Sequence, residues 1–299
     1  MQAKNIVIAI LALALIGAVS FLLIKSGGDT VVVVDKDTEN TSVEVLPVEP
    51  DGGIGDGAEA GEEPAPSTER PTETLIGSSV EGRELVAHHF GNGDKEILLV
   101  AGVHGGYSPN TAALGQELVT FFTENTDIIP KNLSVTVVPL LNPDGANKEG
   151  SAGRFNANEV DLNRNFDCDW SAKAMWRSEE VSGGTEAFSE PEAAALRDYV
   201  EANDPVAAVV WFSAEGKVYP SACGSAPSKA ATELAATFAS AAGYPAAAEF
   251  DAYPVTGDMV NWMAKQGIPA ISVLLTDHKN PEWMKNESGI KAVLAKYAE

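Results

Sequence analysis

The chain has 299 residues, 44% of them apolar, which is enough to bury a normal core in one large domain with accessory segments and excludes a chain disordered throughout. Forty-three acidic side chains against 20 basic ones give a formal net charge of -23. A surface that tracks phosphates needs clustered Lys and Arg, so nucleic acid is not expected as a partner.

In chain order, the first feature is an unbroken apolar run from Ile6 to Ile24, flanked by Lys4 and Lys25. It is long enough to cross a bilayer core of roughly 30 Å as a helix. Two readings compete. Ala18-Val19-Ser20 offers the small residues of a signal-peptidase site, but the apolar run continues through Phe21-Leu22-Leu23-Ile24. Residues 1–25 are therefore expected to be an uncleaved single-pass anchor, with a cleaved, secreted form as the alternative. Lys4 and the short N-terminus predict an inside start and an extracytoplasmic remainder.

Residues 26–74 switch to Asp, Glu, Gly, Pro, Ser and Thr, as in DGGIGDGAEAGEEPAPSTERPTET. This composition predicts a disordered, acidic tether, in which the VVVV at 31–34 is an apolar patch.

From Leu75 to residue 299 strand and helix patterns alternate, predicting a single α/β domain with a central mixed, mostly parallel sheet flanked by helices. The expected elements are a strand over Glu96–Val103, a helix over Pro109–Glu124 with proline in its first turn, and a strand over Leu133–Leu141 closed by the turn Asn142-Pro143-Asp144-Gly145. Ser189-Glu190-Pro191-Glu192 reads as a capping box opening a helix to about Ala202. A strand over Val206–Phe212, a helix over Ser228–Ala242, a strand over Ala270–Leu275 and a helix over Glu287–Tyr297 complete the set. His88 and His89 fall on an earlier strand-like segment, one of them expected as a core or edge side chain.

His104, Phe212 and Leu274 lie at or near the C-terminal ends of predicted strands, the edge where open α/β sheets bind ligands. His104, followed by Gly105 and Gly106, has the profile of a metal ligand at a strand end. The densest polar run is Arg154-Phe155-Asn156-Ala157-Asn158-Glu159-Val160-Asp161-Leu162-Asn163-Arg164-Asn165-Phe166. Its arginines and asparagines suit a cradle for a carboxylate, although a solvated loop with Asn turns is an equal reading of the residues alone.

The motifs VHGG, NPDG, VDLNRNF with Arg154 upstream, WFSAEGKVYPS, AYPVTGDMVNW and GIPAISVLLTD occur in this order over residues 80–299. Together they resemble the zinc metallocarboxypeptidases, the carboxypeptidase A-like enzymes, and among them the bacterial peptide-trimming branch. The resemblance implies an oxyanion-stabilising role for Arg154, a grip on the free C-terminal carboxylate for Asn163 and Arg164, and a closing tyrosine in Tyr253. Val260 falls near the floor of the side-chain pocket, hinting at an apolar preference, with Asp258 beside it.

The implied metal centre is degenerate. His104 matches the first zinc ligand, Tyr107 or Ser108 stands where a glutamate is expected, Phe212 replaces the second histidine, and Leu274 occupies the position of the catalytic glutamate. One imidazole does not make a zinc site, which uses three or four protein ligands. Zinc binding is thus expected to be weak or absent. A shifted site on His104, Glu215 and His278 is the rescue to consider.

Cys168 and Cys223 suit an exported protein with one disulfide between two loops of the cleft, two inert buried thiols being the alternative. The resulting expectation is a membrane-anchored extracytoplasmic pseudopeptidase that recognises peptides by a free C-terminal carboxylate. The alternatives are an active carboxypeptidase with a non-standard metal site and a structural envelope protein with a relic cleft.

Overall fold

The computed structural model describes residues 70–299. The apolar run Ile6 to Ile24 and nearly all of the acidic segment lie outside the described residues. Among the described residues no helix is long and apolar enough to cross a membrane.

The first strands, β1 (Glu73–Ser78) and β2 (Glu84–Phe90), form an antiparallel pair. The folded domain thus takes in residues before Leu75. Arg70 pairs with the buried Glu96 and donates to Tyr199 Oη at 2.7 Å and to Thr136 Oγ1 at 3.1 Å. It compensates a carboxylate that would otherwise be a lone charge inside a strand. On β2, His89 is the buried member of the histidine pair, 3.0 Å from both Thr136 Oγ1 and Thr74 Oγ1.

β3 (Lys95–Val100) and β4 (Leu133–Val138) are buried along nearly their whole length. Such runs suit central strands covered on both faces. Between them lies α1, over Pro109–Glu124, with the bounds predicted. After β4, Asn142 caps a short helix, α2 (Pro143–Ala146), by accepting from Gly145 N at 2.8 Å, where the sequence suggested only a turn.

A small separate hairpin, β5 (Lys173–Trp176) and β6 (Glu179–Ser182), precedes α3 (Pro191–Asn203). The expected capping box at α3 does not form. Glu190 is its N-cap residue, and Glu192 instead accepts from Val80 N and Asn156 Nδ2, both at 3.2 Å. The remaining elements are β7 (Ala207–Ser213), β8 (Lys217–Pro220), α4 (Lys229–Ala242), α5 (Met259–Lys265), β9 (Ala270–Leu275) and α6 (Trp283–Tyr297).

The main sheet has seven strands in the order β1-β2-β4-β3-β7-β9-β8. The inner four are parallel, while β1, β2 and β8 join antiparallel, so the sheet is mixed rather than mostly parallel. Of these edges, β2 is the strand-like segment of His88 and His89, whereas β1 and β8 were not anticipated from the sequence. Alternation along β3 sends Ile97 and Leu99 to the core under α1, α4 and α6, and Leu98 and Val100 to the core under α3 and α5.

Cys168 and Cys223 form a disulfide with a Cα–Cα distance of 5.9 Å. Cys223 sits beyond β8. The bridge closes a loop of sequence separation 55, so a Cys168→Ser, Cys223→Ser double variant is expected to lose about 4 kcal/mol on the loop-entropy estimate, measured by urea unfolding.

Candidate functional site

A cleft of about 740 Å³ opens at the C-terminal ends of β3, β7 and β9. His104, Phe212 and Leu274 all reach it, as the strand-end reading anticipated. Phe212 and Leu274 are direct neighbours across β7 and β9, so two apolar side chains stand together where polar ones were the expectation from the resemblance. The Phe212 ring lies 5.5 Å from the His104 ring.

The two glycines after His104 are required by packing. A Cβ on Gly106 would sit 1.8 Å from Lys148 O, and one on Gly105 would sit 2.4 Å from the Gly145 carbonyl carbon. The next residue, Tyr107, faces the cleft, whereas Ser108 is fully buried beneath it with its Oγ 3.4 Å from His278 Nδ1. Of the two candidates for the missing glutamate, Tyr107 is the one that faces His104.

Arg154 ends the 3-10 turn Gly150–Arg154, and Asp161 caps the 3-10 turn Leu162–Arg164. Their side chains meet at His104. Arg154 Nε donates to Asp161 Oδ2 at 2.8 Å, a terminal nitrogen of Arg154 lies 2.7 Å from the same oxygen, and His104 Nε2 is 3.2 Å from Asp161 Oδ1. The other terminal nitrogen of Arg154 is 3.3 Å from His104 Nδ1. All three residues are buried, and the guanidinium also stacks 4.6 Å from the Trp176 ring.

Burial, then the charge of Arg154, pushes the His104 imidazole down to about 4. Burial alone would raise the Asp161 carboxyl, but Arg154, and after it His104 and Arg164, hold it well below the usual carboxylate range. The neutral imidazole has one N–H. Since ionised Asp161 only accepts, Nε2 carries that proton and Nδ1 accepts from Arg154. Asp161 is the residue that sequence reasoning left without a role, although a carboxylate beside a candidate ligand histidine is the usual orienting partner.

The residues do not fit zinc. Both His104 nitrogens are engaged, the second by a guanidinium, and Tyr107, Phe212 and Leu274 bring no ligand atoms of the family's kind. The rescue set is not assembled either. Glu215 is paired with Lys217 at 2.7 Å, and the His278 ring lies 4.5 Å from Tyr107. Among the described residues, the one cluster of three metal-ligating groups is Cys168, Asp169 and Cys223, whose sulfurs are bonded to each other.

Between about pH 6.5 and 4 the unfolded chain takes up a proton at residue 104 that the folded domain refuses. Stability therefore falls as pH falls through this window. A loss of roughly 2 kcal/mol from this residue is expected between pH 7 and 5, checked by chemical unfolding of the wild type against His104→Gln, which removes this share.

The expected carboxylate cradle forms only in part. Asn163 is turned away from the cleft centre: its Nδ2 donates to Asp258 Oδ2 at 2.7 Å and its Oδ1 accepts from Met259 N at 3.1 Å. Arg164 is 2% exposed and lines the cleft. Its Nε donates to Met175 O at 3.0 Å and one terminal nitrogen to Asn163 O at 2.7 Å. Among the described residues its other terminal nitrogen has no acceptor and the guanidinium no ion pair. Tyr253 also lines the cleft, its ring 4.9 Å from that of Phe250. Val260 is not the pocket floor: it is 1% exposed and packs in the core, because α5 turns it inward while Asp258 and Asn261 face the cleft.

The loop with Tyr253 and Asp258 is stitched to the Arg164 loop through Gly257. Phe166 N donates to Gly257 O at 3.0 Å, and Gly257 N donates to Cys168 O at 2.8 Å. Gly257 has φ +63°, and a Cβ there would lie 2.1 Å from Arg164 O.

The fold has known counterparts. The bovine thrombin-activatable fibrinolysis inhibitor, in complex with tick carboxypeptidase inhibitor, superposes with a TM-score of 0.62 at 20% identity over 76% of this chain and 88% of that one. The murein-tripeptide amidase MpaA of Escherichia coli O157 gives a TM-score of 0.55 at 20% identity, over 78% and 93%. In sequence, the human carboxypeptidase N catalytic chain is 35% identical over 30% of this chain and 25% of its own length. The carboxypeptidase E of Caenorhabditis elegans is 32% identical over 30% and 24%. The chain thus spans about a quarter of the length of the curated relatives it matches. The model of the zinc carboxypeptidase family matches residues 68–298, and the chain is therefore a member of that family.

Proposed function

We propose that this protein is a pseudopeptidase: a receptor that holds peptides by their free C-terminal carboxylate without cleaving them. The observation that carries the reading is Arg164, a buried guanidinium facing the cleft that forms no ion pair among the described residues. A buried charge without a partner is costly, and a carboxylate supplies the partner together with a charge-assisted hydrogen bond. Arg154 does not compete for this role, because Asp161 already neutralises it. Hydrolysis is absent in this reading because Tyr107, Phe212 and Leu274 stand where the resemblance expects two metal ligands and the catalytic glutamate.

The receptor is carried on the N-terminal apolar segment as a membrane anchor and faces the extracytoplasmic side. The Cys168–Cys223 bridge supports that placement, since disulfides persist in oxidising compartments.

Calorimetry with peptides in free-acid and amidated forms tests the function. The free acid is expected to bind, amidation to abolish binding, and Arg164→Ala to weaken it by ten-fold to about a hundred-fold, the worth of a hydrogen bond to a charged group. Equal binding of acid and amide would leave the cleft as a relic.

A further inference from the structure

We infer that the Cys168–Cys223 bridge and Asp169 form a redox-gated metal site: once the bridge is reduced, two thiolates and one carboxylate hold a single thiophilic divalent ion. The inference is independent of the receptor reading above, since none of the three residues lines the cleft.

The three side chains come from two loops. Cys168 and Asp169 follow the polar run that ends at Phe166, and Cys223 follows β8. Their ligand atoms, two sulfurs and a carboxylate oxygen, all lie within 4.8 Å of one another. Tetrahedral zinc, with bonds of about 2.3 Å to sulfur and about 2.0–2.2 Å to a carboxylate oxygen, sets its ligand atoms roughly 3.5–3.8 Å apart. Asp169 Oδ2 is already 4.0 Å from Cys168 Sγ. Only the two sulfurs have to part, and the 5.9 Å between their Cα atoms lets side-chain rotation achieve that.

Among the described residues no N–H or O–H donates to the Asp169 carboxylate and no cation pairs with it. Its neighbour Asp167, by contrast, is paired with Lys265 at 2.8 Å. A bridged sulfur has no proton to donate, so the oxidised bridge offers this carboxylate nothing. Asp169 is exposed and Cys223 partly so, which leaves an entry path for an ion beside the buried Cys168. Two thiolates favour zinc or cadmium over magnesium or calcium, and three protein ligands leave the fourth position to water. The net charge of -23 favours the approach of a cation.

Reduction by a small dithiol breaks the S–S bond. Its two electrons and two protons pass to Cys168 and Cys223, and the dithiol closes into its own disulfide. Metal uptake then displaces the two thiol protons. Exchange with an oxidised dithiol reverses the first step and expels the ion. In the reduced state the ion replaces the covalent bridge between the loop after Phe166 and the loop after β8, so the domain keeps a cross-link in both states.

The test uses the purified full chain, reduced with a dithiol, freed of it in the absence of oxygen and titrated with Cd2+. The reduced chain is expected to take up one equivalent with the ultraviolet absorption of cadmium–thiolate bonds, and the oxidised chain none. Zn2+ is expected to displace Cd2+ from the same site and to raise the Tm of the reduced chain. Asp169→Asn, which leaves the bridge intact, is expected to weaken uptake at least about ten-fold, the loss that even an outer partner of a metal ligand brings. A Cys168→Ser, Cys223→Ser double variant is expected to lose the absorption altogether. A reduced chain that takes up no ion, or an oxidised chain that takes up as much, would overturn the inference. Uptake unchanged in Asp169→Asn would remove the carboxylate from the site and overturn it equally. Where reduction unfolds the chain, uptake that restores the circular dichroism of the folded state supports the site, and uptake without refolding overturns it.

Discussion

A chain carrying Tyr107→Glu, Phe212→His and Leu274→Glu is expected to take up zinc stoichiometrically and to release C-terminal residues from peptides, whereas the parent retains well under one equivalent after dialysis. The three positions face one cleft with His104, and Phe212 and Leu274 are adjacent across two strands, so the replaced side chains converge. A site with three protein ligands and an open position is the minimum for catalytic zinc. Glutamate at Ser108 should not work, because that side chain is buried away from the cleft. Arg154 opposes the change, since its guanidinium lies 3.3 Å from the His104 Nδ1 lone pair and must move before a metal can bind there. Adding Arg154→Ala should therefore tighten zinc uptake further. Variants lacking any one of the three replacements should stay at background activity, because groups that act as a unit are strongly non-additive. Metal analysis of a folded triple variant that finds no zinc would mean that these side chains do not converge.

Asp161→Asn is expected to cost about 3–5 kcal/mol of unfolding free energy, measured in urea, because it leaves the Arg154 guanidinium buried without its carboxylate. His104 and Arg154, which each use one carboxylate oxygen, would then compete for a single amide oxygen. Replacing the pair together, as Asp161→Asn with Arg154→Met, should restore much of the loss, since the penalty comes from the orphaned charge rather than from the absent attraction. A single variant within 1 kcal/mol of wild type would show that water reaches the cluster and screens it.

The sequence made the core of this domain legible where packing and local signals agree. Pro109–Glu124 carries proline at its start and a helical apolar face, and Ala270–Leu275 is a continuous apolar run; both match their predicted bounds. Ser228 caps α4 through Ala231 N at 3.1 Å, as a serine before an apolar helix should. The β5–β6 hairpin and β8 were not legible, because four-residue strands with charged or proline ends carry too little periodicity to separate them from loops. Helix α5 is only seven residues long, and without its bounds Val260 could not be assigned to the core.

In the site, motif order located His104, Arg154, Asn163, Arg164 and Tyr253 around one cleft, but not what each does there. The resemblance implied an oxyanion role for Arg154, and the geometry pairs it with Asp161. That choice depends on distances between segments seven and fifty residues apart, which no spacing in the sequence encodes. Asn163 likewise faces Asp258, 95 residues away, instead of the centre of the cleft.

The Gly257 joint has a further consequence. Because two backbone hydrogen bonds through Gly257 tie the Arg164 loop to the loop carrying Tyr253, these two parts of the cleft lining are joined by main-chain atoms and move together. Substituting a side chain on either loop then changes what the cleft presents without freeing one loop from the other. Gly257→Ala, with its Cβ forced against Arg164 O, would part them.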